Sequence, residues 1–162
     1  MKYAKRFFSR HLLLTLTLLF GLVGFAQANE AQVKKVLAMD VAPDGIVFEV
    51  VSGDKAYLKT ALDRFEAYQK QLKEKFPNIE LAIVSHGSEQ FSLTKQNKAA
   101  FKDTHKQVQR ITESDVPVHI CETHASWYDI SAEDFPDYVS VSSQGPQQIR
   151  DYQELGFLLI VL

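Results

Sequence analysis

The chain has 162 residues, a formal charge of −2 and a single cysteine. That length suits one domain with its own core, and the mildly acidic balance argues against nucleic acid or an anionic membrane surface as partner. One cysteine excludes an internal disulfide framework, so the apolar core must hold the fold.

The first ten residues carry Lys2, Lys5, Arg6 and Arg10 and no acid. An apolar stretch from Leu12 to Phe25 follows, then Ala26-Gln27-Ala28. A basic start, a short apolar run and a small-x-small end are the parts of a secretory signal. The alternative is a permanent N-terminal anchor, for which the run is short, since a bilayer takes about 20 apolar residues. The expected organisation is a signal peptide over 1–28 and one domain over 29–162, acting in the periplasm or secreted. No later run is long enough to span a membrane, so none is expected to hold the chain there after cleavage.

Asn29 to Asp44 is mixed, with Val33, Val36 and Leu37 able to pack, and Pro43-Asp44-Gly45 marks a turn. Ile46 to Val51 reads as a strand. Asp54 is placed to cap a helix whose apolar positions are Leu58, Ala61, Leu62, Phe65, Tyr68 and Leu72, ended by Pro77-Asn78. Ile79 to Val84 is a second strand, and Ser85-His86-Gly87-Ser88 a loop. A second amphipathic helix is predicted from about Lys95 to Thr112, then a third strand from Val116 to Cys121. His124 to Trp127 falls in a loop or short helix. Ser131 to Asp134 starts another, limited by Pro136. Tyr138 to Val141 is a short fourth strand, Gln147 to Leu155 a helix stopped by Gly156, and Phe157 to Val161 the last strand.

Strands alternate with helices, and the strands are apolar throughout rather than on one side. That is the pattern of a mostly parallel sheet buried on both faces. The fold class expected is therefore α/β, a three-layer α/β/α sandwich with about five strands. In such sheets sites form at the carboxyl ends of the strands. Three ends carry polar residues: Ser52 and Gly53; Ser85, His86 and Gly87; Cys121, Thr123 and His124. If their strands are neighbours, they share one rim.

Cys121 ends the run Val118-His119-Ile120-Cys121. Its thiol is a small buried hydrophobe, half of an inter-chain disulfide, or a chemically used group. His119, His124 and His86 would favour a thiolate if protonated, whereas the adjacent Glu122 would disfavour it. His119, Cys121 and His124 are also a weak candidate for zinc or copper(I), because the spacing fits no standard zinc motif. Ser85-His86-Gly87-Ser88 combines a glycine able to adopt positive φ with backbone N–H groups that could bind a small anion, but a generic tight turn is the preferred reading. A Cys–His hydrolase would pair Cys121 with His86, but the sequence names no oxyanion partner. No Gly-rich phosphate fingerprint and no G-x-S-x-G elbow is present. Trp127, Tyr128, Phe135 and Tyr138 form an aromatic cluster for packing, for a subunit contact or for lining a pocket beside the thiol.

The order of these segments resembles the DsrE/DsrF-like family. It runs through Ile-Val-Ser-His-Gly, Val-Pro-Val-His-Ile-Cys, Asp-Phe-Pro-Asp-Tyr-Val-Ser-Val and Gln-Glu-Leu-Gly-Phe, from Ile46 to Val161. The resemblance implies a parallel α/β/α fold and assembly into trimers or hexamers. It also implies, as in the sulfur-relay members, a cysteine at the position of Cys121 that accepts sulfur as a persulfide and passes it to a partner protein. His86 and Gly87 fall on the family's His-Gly pair. No cofactor is implied. The expected export departs from the relay members, which are cytoplasmic. The functional expectation is a sulfur carrier or thiol-redox protein acting through Cys121, with sulfur transfer or thiol chemistry rather than hydrolysis if it is an enzyme. His86, Gly87, Ser85, His119, His124 and Trp127 are its expected binding residues. The alternatives are a non-catalytic oligomer that binds a small ligand or partner, and a Cys/His metal-binding module.

Overall fold

In a computed structural model, which describes residues 24–162, five parallel strands form one sheet in the order β4-β3-β2-β1-β5. The strands are β1 (Gly45–Val50), β2 (Glu80–Ser85), β3 (Val118–Cys121), β4 (Ser140–Ser142) and β5 (Phe157–Val161). The helices are α1 (Gly24–Leu37), α2 (Tyr57–Lys75), α3 (Lys102–Glu113), α4 (Glu122–Ser126) and α5 (Gly145–Glu154). The expected signal peptide, 1–28, lies outside the described residues except for the backbone of the opening turn of α1. Among the described residues no helix is long and apolar enough to cross a membrane.

The two faces of the sheet are covered unequally. Ile46, Phe48, Val50, Leu81, Ile83, Val118, Ile120 and Ile160 point into the larger core. There they meet Val33 and Val36 of α1, Leu58, Leu62, Phe65 and Leu72 of α2, and Val108 and Ile111 of α3. Phe48 and Phe65 meet edge to face at 5.1 Å, a favoured aromatic geometry. The other face holds Val47, Ala82 and Val84 under Ile149 of α5, with Phe157 beside them. A strand alternates its side chains, so apolar residues at every position are what burial on both faces requires. Among the described residues only α5 covers the second face, and Glu49, His86, His119 and Cys121 are not sealed under a further described helix.

Several boundaries differ from expectation for local reasons. Asn29 to Leu37 packs, as its valines allow: it is helix, with Val33 and Val36 buried against the core. Asp54 does not cap α2; its Oδ1 accepts the N–H of Ala56, and the resulting turn delays the helix to Tyr57. The predicted Lys95–Thr112 helix is split. Residues Lys95–Asn97 form a tight 3-10 turn, and α3 proper begins at Lys102. A further 3-10 segment, Ser88–Leu93, follows β2 and is wholly buried after Ser88. Helix α5 starts at Gly145, with Pro146 in its first turn, where a missing N–H costs nothing. Its end requires glycine: Gly156 has φ +88, and a Cβ there would meet the Asp44 carboxylate.

Candidate functional site

Because β1, β2 and β3 are adjacent, their carboxyl ends do form one rim. Cys121 stands on this rim at the end of β3. The residue is 4% exposed, and it lines a cleft of about 220 Å³ with His86, Thr123, His124, Trp127, Gln144 and Pro146. The chain turns from β3 into α4 at this point, and Cys121 caps the turn: its Sγ accepts the backbone N–H of His124 at 3.4 Å. The backbone N–H of Cys121 donates to Oε1 of Gln90 at 2.7 Å. Thr123 ties the start of α4 to the loop after β4, donating both its N–H and its hydroxyl to the carbonyl of Ser143.

His86 reaches the same cleft from the end of β2. Its Nε2 is 2.7 Å from Oε1 of Glu49 on β1. A carboxylate accepts, so Nε2 carries a proton and Nδ1 is the ring atom left to take one. Gly145 brings the pieces together by having no side chain. A Cβ at that position would stand 2.5 Å from the Cβ of His86 and 3.3 Å from the Cβ of Cys121. No hydrogen bond joins His86 to Sγ; the two groups face a shared cleft.

In the Ser85–Ser88 turn, the weaker candidate for an anion site, the Gly87 N–H is taken by a carboxylate of the chain itself. Glu89 is wholly buried, and its carboxylate accepts from the N–H of Ser52 at 2.6 Å, the hydroxyl of Ser85 at 2.7 Å and the N–H of Gly87 at 2.9 Å. Ser85 and Gly87 therefore serve this internal carboxylate, and neither lines the cleft. Gly87 is required for a different reason from the one expected. Its φ is −101, an ordinary value, but a Cβ would lie 2.5–2.6 Å from the backbone of Ser52 and against the Glu89 carboxylate.

His119 faces the same side of the sheet as Cys121, but its ring is engaged elsewhere. Ser142 donates its hydroxyl to Gln148 Oε1 at 2.9 Å, so it accepts Nδ1–H of His119 at 3.0 Å. Nε2 then accepts the hydroxyl of Tyr152 at 2.9 Å. Both nitrogens are occupied in the neutral tautomer, and burial pushes the pKa of His119 below the usual imidazole value. The possible ligand set of Cys121, His119 and His124 is thus not assembled. Among the described residues no three His, Cys, Asp or Glu side chains group as a metal site. His124 stacks on Tyr128 at 5.5 Å and on Trp127 at 5.3 Å, with its Nε2 buried and without a partner.

The aromatic cluster divides. Trp127 and Tyr128 are 71% and 56% exposed, and Trp127 lines the thiol cleft. Phe135 is in the core, and the hydroxyl of Tyr138 bonds His105 on α3. Sequence reasoning missed Glu49, Glu89, Gln90, Gln144 and Gly145. A signal existed for Glu49, a lone acid inside the apolar run of β1. Glu89 and Gln90 sit in a polar stretch with no pattern that foretells their burial.

No protein-family model matches the chain, and no curated protein does. Solved structures match in fold. MTH1491 from Methanobacterium thermoautotrophicum, a protein of unknown function, aligns with a TM-score of 0.59 at 16% identity, over 72% of this chain and 97% of its own. BT1422 from Bacteroides thetaiotaomicron, also of unknown function, gives 0.53 at 12% identity, over 74% and 95%. The ychN protein of E. coli gives 0.53 at 16% identity, over 73% and 99%. Identities this low establish the fold alone, a three-layer α/β/α sandwich.

Proposed function

We propose that this chain is an exported member of the DsrE/DsrF-like family that carries sulfur as a persulfide, or exchanges thiols, on Cys121. The observation that carries the reading is the placement of the sole thiol. It lines a cleft at the carboxyl end of β3, beside a His86–Glu49 pair. Persulfide transfer balances as a displacement. The Cys121 thiolate attacks the outer sulfur of a donor persulfide, R–S–SH. A Cys121–S–SH bond forms, the donor S–S bond breaks, and the donor leaves as the thiolate R–S⁻. The Cys121 proton passes first to a base, and His86 is the titratable base that shares the cleft and is oriented by a carboxylate. Delivery to an acceptor protein is the same displacement run onward.

The test is the intact mass of the protein, isolated without reductant and again after exposure to a low-molecular-weight persulfide. The expected result is a thiol-reducible gain of about 32 Da, one sulfur atom, that Cys121→Ser abolishes. A thiol that stays unmodified and resists alkylation until the protein is denatured would end the reading.

A second reading is a non-catalytic oligomer that binds a ligand or partner, and the observation favouring it is the exposed apolar surface. Trp127 and Tyr128 stand beside the cleft, while Leu155, Leu158 and Val161 lie exposed on and beside the edge strand β5. An open edge with apolar side chains invites association. It also supports assembly into a trimer or hexamer, which light scattering on the eluted protein tests. Full partner binding by Cys121→Ser would favour this reading over the first.

A further inference from the structure

A second cleft, of about 590 Å³, adjoins the one that holds the thiol. It runs between β4 and α5 and is lined by His119, Ser140, Ser142, Gln144, Gln148 and Asp151 among others. Gln144 lines both clefts, and Cys121 is the register partner of Ser142. The two spaces therefore meet beside the thiol, and the larger one leads away from it along α5. Its volume is that of a small-molecule site.

The chemistry of this second cleft is one-sided. Hydroxyls, amides and a neutral imidazole form most of the lining; among the described residues the charged group is the carboxylate of Asp151, and no Lys or Arg lines the cleft. The nearby Arg150 does not line the cleft; its guanidinium is turned to Gln147, whose Oε1 accepts from its Nε at 3.1 Å and Nη2 at 2.6 Å. Gln147 in turn donates to Oδ1 of Asp151 at 2.7 Å, leaving Oδ2 without a partner among the described residues. An anionic ligand would meet this carboxylate with no cation among the described lining residues. A ligand with an ammonium group would find an acceptor at the far end, and uncharged polar groups would find partners between.

We propose that this cleft binds the body of a small amine-bearing thiol or persulfide whose sulfur is presented to Cys121. The inference rests on the reading of Cys121 as a sulfur acceptor. Asp151 lies about 10 Å along α5 from Gln144, so the amine and the sulfur of the best ligand are separated by a chain of roughly that length. Asp151 selects the ligand by charge, and the polar side chains between it and the thiol hydrogen-bond its body.

Three symmetrical disulfides of equal length test this: those of aminohexanethiol, mercaptohexanol and mercaptohexanoate, which are cationic, neutral and anionic. In each, the Cys121 thiolate attacks one sulfur, a mixed disulfide forms, the probe S–S bond breaks and one probe thiolate leaves. The rate of mixed-disulfide formation is read by intact mass at low salt and normalised to a free cysteine derivative in solution. The expected order is cationic, neutral, anionic, with about a tenfold span. Asp151→Asn should collapse that span. Glu113→Gln, on α3 across the sheet, changes the net charge equally and should leave the span intact. If the neutral probe reacts but the span is absent, or both substitutions reduce it alike, the subsite is refuted and the acceptor reading stands. If no probe reacts with the native protein, the acceptor reading fails and the subsite fails with it.

Discussion

The wholly buried side chain of Gln90 accepts the backbone N–H of Cys121 at 2.7 Å, which ties the strand end that bears the thiol to the buried 3-10 segment after β2. The bond also fixes the amide: Oε1 must face the N–H, so Nε2 points elsewhere, where it has no partner. A buried donor without a partner costs stability and calls for an explanation at the site that holds it.

Gln90→Met keeps the volume and removes the acceptor. The N–H of Cys121 is then left unpaired, and urea denaturation should show a loss of about 1–3 kcal/mol. Alkylation of Cys121 in the native protein should become faster, because the end of β3 is less firmly held. A variant as stable as the parent, with unchanged alkylation, would show that the bond is incidental.

Glu89 joins the loops after β1 and β2 through one carboxylate that takes three donors. Glu89→Ala strands all three in the interior, and the expected loss is about 3 kcal/mol or more. Gly87→Ala should damage the same junction, since its Cβ has no room against the backbone of Ser52. Thermal melts of both variants provide the check. A Glu89→Ala protein that melts with the parent would refute the account of this junction.

Gly145→Ala separates access from fold. The added methyl would press on the Cβ of His86 at 2.5 Å and approach the Cβ of Cys121 at 3.3 Å. Both lie at the mouth of the thiol cleft, and Gly145 starts α5, where alanine is otherwise well tolerated. Circular dichroism should stay that of the parent while the alkylation rate of Cys121 changes. An unchanged rate would mean that His86 and Cys121 do not share the approach to the thiol.

The buried histidines set a pH dependence. His105 donates Nε2–H to the carbonyl of Ser92, accepts the hydroxyl of Tyr138 on Nδ1 and is neutral for that reason. Burial pulls the pKa of His105 and of His119 below the usual 6.5. Above 6.5 both rings are neutral in the folded and unfolded chains, so nothing is lost. As pH falls through 6.5 the unfolded chain binds protons that the folded chain refuses, and stability declines until the folded values are passed. Asp63 is also lowered, chiefly by its bond to Lys59, but its contribution is lost only as pH falls below 3.8. Tm should therefore fall between about pH 7 and pH 5, and His105→Gln with His119→Gln should flatten that slope. A parent Tm that is level across this range would contradict the assignment of two neutral imidazoles, buried at His105 and half-buried at His119.

How much of this was legible beforehand depended on range. The apolar runs of β1, β2, β3 and β5 and the helical spacing of Leu58, Leu62 and Phe65 are local patterns, and they sufficed for a parallel α/β/α sandwich. They sufficed also to put Cys121 and His86 at strand ends, because a strand's carboxyl end is read directly from where its apolar run stops. The rim itself needed β1, β2 and β3 to be neighbours, which residue order leaves open.

Partners decided the rest. Ser85 and Gly87 read as a tight turn or, less favoured, an anion loop, and the tertiary fold supplied Glu89 as the anion. His119 looked like a companion of Cys121 because alternate residues share a face of a strand. Its nitrogens instead went to Ser142 on the neighbouring strand and to Tyr152 on α5. The residue types of a short segment determine what a chain can offer, an imidazole, a thiol or an N–H. Which group each one meets is settled by burial, since a polar atom in the core is costly without a partner and the nearest partner is often remote in sequence.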